Sequence, residues 1–129
     1  MANIKPWDKY FSDEAKQFDV QNMPVKTLPQ MLEQAVAQFG DKPALTTILP
    51  TGAETTITFN QLSAHAADFA TYLREDLGLG TGDTVAIMAP NCIGFCVASM
   101  GLSLAGCIGT NVNPLYTPCL LYTSPSPRD

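Results

Sequence analysis

Residues 83–118 read DTVAIMAPNCIGFCVASMGLSLAGCIGTNVNPLYTP, and no charged side chain occurs between Asp83 and Arg128. Thr84-Val85-Ala86-Ile87-Met88 is an apolar run of strand length with a β-branched start. Pro90-Asn91 interrupts it, and Asn91 is a favourable N-cap for a following helix. Cys92 to Ala105 is rich in small residues and apolar on every side, the pattern of a helix buried between other elements. Gly106 can end that helix, after which Cys107 to Val112 reads as a second strand that Asn113-Pro114 stops. Strand, buried helix and strand in this order predict a βαβ unit and a parallel sheet covered on both faces. The competing reading of Cys92–Val112 is a membrane span, since it approaches the ~20 residues a bilayer requires. Its four interior glycines, Thr110, Asn111 and the lack of flanking Lys or Arg argue against a span.

The chain has 129 residues, the length of one domain, with 7 basic and 12 acidic side chains and a net charge of −5. The basic residues are scattered singly, which excludes a nucleic-acid footprint or a polybasic membrane patch. Cys92, Cys96, Cys107 and Cys119 lie in apolar context without metal-ligand spacing, so they read as small hydrophobes and no metal site is expected. The N-terminus has no apolar h-region, so no secretory signal is read there and a reducing cytoplasmic setting is the simplest expectation.

Residues 1–26 are polar with a few aromatics and no clean period, and read as an arm lying over something larger. Thr27-Leu28-Pro29-Gln30 has capping-box spacing with Pro in the first turn. Leu28, Met31, Leu32, Ala35, Val36 and Phe39 then mark one face of a three-turn helix that Gly40 stops. Ala44–Leu49 and Glu54–Phe59 flank the turn signal Pro50-Thr51-Gly52 and predict a β-hairpin. Thr58-Phe59-Asn60-Gln61 repeats the capping box. The helix after it carries Leu62, Ala66, Phe69, Leu73 and Leu77 as its apolar stripe and closes at Gly78. His65, the only histidine, has no nucleophile or orienting carboxylate in reach and reads as structural. Leu79-Gly80-Thr81-Gly82-Asp83 precedes a strand and lacks Gly-Lys-Ser/Thr, so it is a turn and not a phosphate loop.

Helix, hairpin, helix and βαβ unit together resemble the start of the large N-terminal domain of the AMP-forming (adenylate-forming) acyl-CoA synthetases. The matching segments are Thr58-Phe59-Asn60-Gln61-Leu62, Leu79 to Asn91 (LGTGDTVAIMAPN) and Asn111 to Pro118 (NVNPLYTP). The last is similar to bacterial long-chain fatty acid–CoA ligases. The fold class so implied is α/β with a partly parallel sheet, truncated, with residues 27–118 forming a partial AMP-binding domain. The resemblance implies ATP, Mg and CoA as cofactors and co-substrates of the full-length enzyme, and a fatty acid as its substrate. It implies a cytoplasmic location with peripheral contact to the inner face of the membrane.

The family's Ser/Thr/Gly-rich phosphate loop, downstream acidic residue and C-terminal lysine do not occur in this sequence. Tyr122-Thr123-Ser124 echoes the start of that loop, but Pro125 stands where the next glycine is required and removes a backbone donor. No catalytic, cofactor-binding or metal residue is therefore assigned, and the fragment is expected to bind none of these cofactors. Residues 119–129, CLLYTSPSPRD, break the pattern and resemble one reading frame of a transposase-type sequencing adapter; an expression scar is the alternative. A different acyl- or aryl-CoA ligase, a small non-catalytic binding module and a single-span membrane protein are the rival readings. Truncation predicts ATP–pyrophosphate exchange at background level and poor solubility from unpaired strand edges. Exchange above background, or a monodisperse monomer that unfolds cooperatively, would contradict it.

Overall fold

The computed structural model describes residues 6, 8–16 and 22–123. The elements are α1 (Asp13–Lys16), α2 (Leu28–Phe39), β1 (Pro43–Ile48), β2 (Glu54–Thr58), α3 (Phe59–Thr71), β3 (Thr84–Ile87), α4 (Ile93–Ala105), β4 (Ile108–Asn111) and α5 (Pro118–Thr123). This is the predicted order of helix, hairpin, helix and βαβ unit, with a short helix added after Thr117. In the arm, α1 is a single turn started by Ser12, whose Oγ accepts the Ala15 N–H at 3.2 Å.

Local chemistry sets the element starts. Thr58 Oγ1 accepts the Gln61 N–H at 3.2 Å and Gln61 Oε1 accepts the Thr58 N–H at 3.0 Å, a complete capping box for α3. At α2 Thr27 Oγ1 accepts the Gln30 N–H at 3.3 Å, but Gln30 Oε1 takes the Lys26 N–H at 3.1 Å, one residue earlier than the box predicts. The hairpin pairs Leu45 with Ile57 and Thr46 with Thr56, and the Leu49 N–H to Ala53 C=O bond of 2.8 Å closes its turn. β3 and β4 pair in parallel, Thr84 opposite Ile108 and Ile87 opposite Asn111, as a second two-stranded sheet.

The core forms where α3 crosses α4. A Cβ built on Gly101 would stand 2.9 Å from the Ala66 carbonyl oxygen and 2.8 Å from Phe69 Cδ1, so no side chain fits there. This close crossing separates two apolar clusters. Leu32, Ile57, Leu62 and Ala66 gather on the hairpin side, and Ala70, Leu73, Ile87, Leu102 and Ala105 on the parallel-sheet side. Leu73 and Leu102, each 2% exposed, are the largest fully enclosed side chains. α4 ends at Gly106, whose φ of 81° lets the Cys107 N–H reach the Leu102 carbonyl at 3.0 Å.

The fold departs from several sequence expectations. Asn91 is not the cap of α4: Cys92 holds that position, with extended backbone and no side-chain bond. Leu28 and Met31 are about half exposed, because the cluster of Ile57, Leu62 and Ala66 reaches Leu32 but not the turn before it. Leu77 also leaves its stripe, at 50% exposure. After Thr71 the helix widens into a π-type turn, Tyr72–Asp76, closed by Leu77 N–H to Tyr72 C=O at 3.2 Å. The extra residue rotates everything after it by about 100°. Phe59 begins α3 instead of ending β2. The parallel sheet is covered on one face only. Val85 and Ile87 point to α4, while Thr84 and Ala86 are exposed and Ile108 is 55% exposed on the other side. For the same reason α4 is half-buried over most of its length, its enclosed positions being Gly101, Leu102 and Ala105. Among the described residues no helix is long and apolar enough to cross a membrane.

Replacing Thr58 by Ala removes one half of a capping box and is expected to lower the local stability of the first turn of α3 by about 1 kcal/mol, with Ser retaining it. Amide exchange at Gln61 reads this directly, and equal rates in Ala and Ser variants would contradict it.

Candidate functional site

In a parallel sheet the carboxyl ends of the strands share one edge, where loops diverge and ligands bind. Here β3 runs into Met88-Ala89-Pro90-Asn91 and β4 into Val112-Asn113-Pro114, so both loops meet at that edge. The Val112 N–H donates to the Ile87 carbonyl at 2.9 Å and extends the pairing to the edge itself.

Asn113 Oδ1 accepts the Leu115 N–H at 2.9 Å, and the Asn113 carbonyl accepts the Tyr116 N–H at 3.0 Å. This is an Asx turn inside a β-turn, with Pro114 at the position whose φ it presets. Thr117 Oγ1 accepts the Leu120 N–H at 3.4 Å and its carbonyl accepts the Leu121 N–H at 2.9 Å, while Pro118 is the first residue of α5. Thr before Pro is a helix-start signal carried by the sequence itself. Tyr122 and Thr123 close α5, and Ser124-Pro125 lies outside the described residues.

Beside this edge a cleft of about 410 Å³ opens between β1 and the first turn of α4, lined by Leu45, Thr47, Asn91, Cys92, Phe95 and Cys96 among others. Cys92, Cys96 and Cys107 are free thiols and half-buried. His65 is exposed on α3, away from the cleft lining. Among the described residues no three His, Cys, Asp or Glu side chains stand close enough to hold a metal ion. The edge loops carry no basic side chain to neutralise phosphate and no carboxylate to hold Mg, since the sequence has neither between Asp83 and Arg128. The edge loops therefore offer neither a charged partner for phosphate nor a carboxylate ligand for Mg. What the arrangement supplies is backbone: two strand ends and two turns, held in register.

The model of the AMP-binding enzyme family matches residues 32–121. Over 93 residues the chain is 43% identical to a long-chain-fatty-acid–CoA ligase of Escherichia coli O6:H1, an alignment taking in 72% of this chain and 16% of that protein. A long-chain-fatty-acid–CoA ligase of Bacillus subtilis is 35% identical over 118 residues, which are 91% of this chain and 20% of that protein. The crystal structure of fatty acid AMP ligase from Legionella pneumophila superposes with a TM-score of 0.68 at 25% identity, covering 81% of this chain and 18% of that one. The chain thus spans a fifth or less of the length of these relatives. Matched over residues 32–121, the chain belongs to the AMP-binding enzyme family.

Proposed function

We propose that this chain is the opening part of a long-chain fatty acid–CoA ligase. In that reaction the fatty acid carboxylate attacks the α-phosphate of Mg-ATP, releasing pyrophosphate and forming acyl-AMP. The CoA thiol then attacks the acyl carbon and AMP leaves, giving the thioester. The observation that carries the reading is the 43% identity to a relative of that name. It is supported by the Asn111–Pro118 loop, folded as a turn and helix start at the carboxyl edge of β3 and β4.

In this reading residues 1–26 are an arm, 27–118 the first part of the large domain and 119–129 a tail foreign to it. The family match runs to residue 121, just past Pro118. The contribution of these residues is scaffold and edge geometry, and the groups that bind ATP, Mg and CoA belong to the remaining length of the enzyme. The whole enzyme acts in the cytoplasm, with peripheral contact to the membrane that holds its apolar substrate.

The test is the gene itself, read past the codon for Pro118. The expected result is an uninterrupted frame leading to a Ser/Thr/Gly-rich loop followed by Lys, encoding a protein that forms AMP in a long-chain fatty acid- and CoA-dependent manner. A frame that closes shortly after residue 118, or a product that prefers aromatic acids, would overturn the reading.

A further inference from the structure

Two irregularities meet at one atom pair. The first is that α4, a helix of 13 residues, has no cap of its own: Cys92 occupies the N-cap with φ −150° and makes no side-chain bond. The second lies in β1. Alternation places Leu45 and Thr47 on the half-buried side, with Thr46 and Ile48 exposed, so a hydroxyl sits where the strand pattern calls for an apolar group. Thr46 is satisfied on its own face, its Oγ1 lying 2.8 Å from Thr56 Oγ1. Thr47 instead turns its Oγ1 to the Ile93 N–H at 3.3 Å, across 46 residues of sequence.

We propose that Thr47 supplies from the hairpin the capping bond that Cys92 at the N-cap does not make, and that this bond makes the hairpin a strap across the start of the helix. The first turn of a helix leaves N–H groups without intrahelical partners, and a side-chain oxygen on one of them stabilises that turn. Here the oxygen comes from β1, which is not in the sheet of the two strands that α4 connects. Ile93 and Leu45 also pack in one cluster with Ile57 and Leu62, so the bond is part-buried and flanked by apolar contact. As a result the hairpin and the first turn of α4 open together, and the Pro90-Asn91 corner between β3 and α4 is held by a residue distant in sequence. The strap also forms one wall of the cleft, so its release widens that cleft.

Hydrogen exchange on the whole 129-residue chain tests this. Thr47→Val keeps the shape of the side chain and removes the acceptor; Thr47→Ser keeps the acceptor. The Ile93 amide is expected to exchange roughly fivefold faster in Thr47→Val, the size of a lost N-cap, and within about twofold of the parent in Thr47→Ser. The Leu49 amide, bonded to the Ala53 carbonyl in the hairpin turn, reports that the hairpin is intact. Unchanged exchange at Ile93 in Thr47→Val with Leu49 still protected would overturn the proposal. If Thr47→Val does not fold, the parent chain gives the answer by itself. On adding denaturant the Ile93 and Leu49 amides must converge on one opening reaction before Ile87–Val112 contacts are lost, and separate openings would refute the strap.

Discussion

Everything in this chain depends on how closely two helices approach. At Gly101 the backbone of α4 lies against the Ala66 carbonyl and the Phe69 ring of α3, with no room for a methyl group. Packing this tight transmits any shift of one helix to the other, because interiors are close to crystal density and do not deform gradually. Ala66, Ala70 and Ala105 continue the small-residue surface, and all three are buried. On one side of the crossing lies the cluster that fixes α2 and the hairpin, and on the other the cluster that fixes the parallel sheet. The crossing is the joint between them. α4 packs on both clusters and is the connection of the βαβ unit, so its position sets where β3 and β4 end.

Features decided within a few residues were legible in the sequence. The Thr58–Gln61 capping box, the Thr27 cap, the turn after Leu49 and the left-handed stop at Gly106 all appear where their spacing put them. The βαβ unit was legible because Pro90-Asn91 and Gly106 punctuate an otherwise featureless apolar run. Features decided by distant partners were not. Asn91 was the best local cap, yet the acceptor for Ile93 comes from Thr47, which no local pattern connects to it. The π-type turn at Tyr72–Asp76 has no composition signal, and it alone moved Leu77 out of a stripe that otherwise held. An apolar run implies contact with other layers but not how many of them lie in the chain at hand, and so the second face of β3 and β4 was expected to be covered and is open.

The candidate site shows the same division. Its residue types, Asn113, Pro114, Thr117 and Pro118, were legible as a family pattern, and each shapes the backbone in the folded chain, through two turn bonds, a preset φ and a helix start. A segment free of charge from Thr84 to Pro127 cannot neutralise a triphosphate. Family membership rests on the match over residues 32–121, while the edge loops carry no charged group that would hold phosphate or Mg.

Whether the crossing joins the two clusters is tested most directly by hydrogen exchange in the Gly101→Leu chain compared with its parent. Overpacking a tight crossing costs about 1–3 kcal/mol. Protection is expected to fall together, by tenfold or more at the upper end of that range, at Ile57 and Leu62 on the hairpin side and at Ile87 and Leu102 on the sheet side. Protection lost in one cluster and kept in the other would show that the crossing does not join them, and would contradict its role as the joint of the fold.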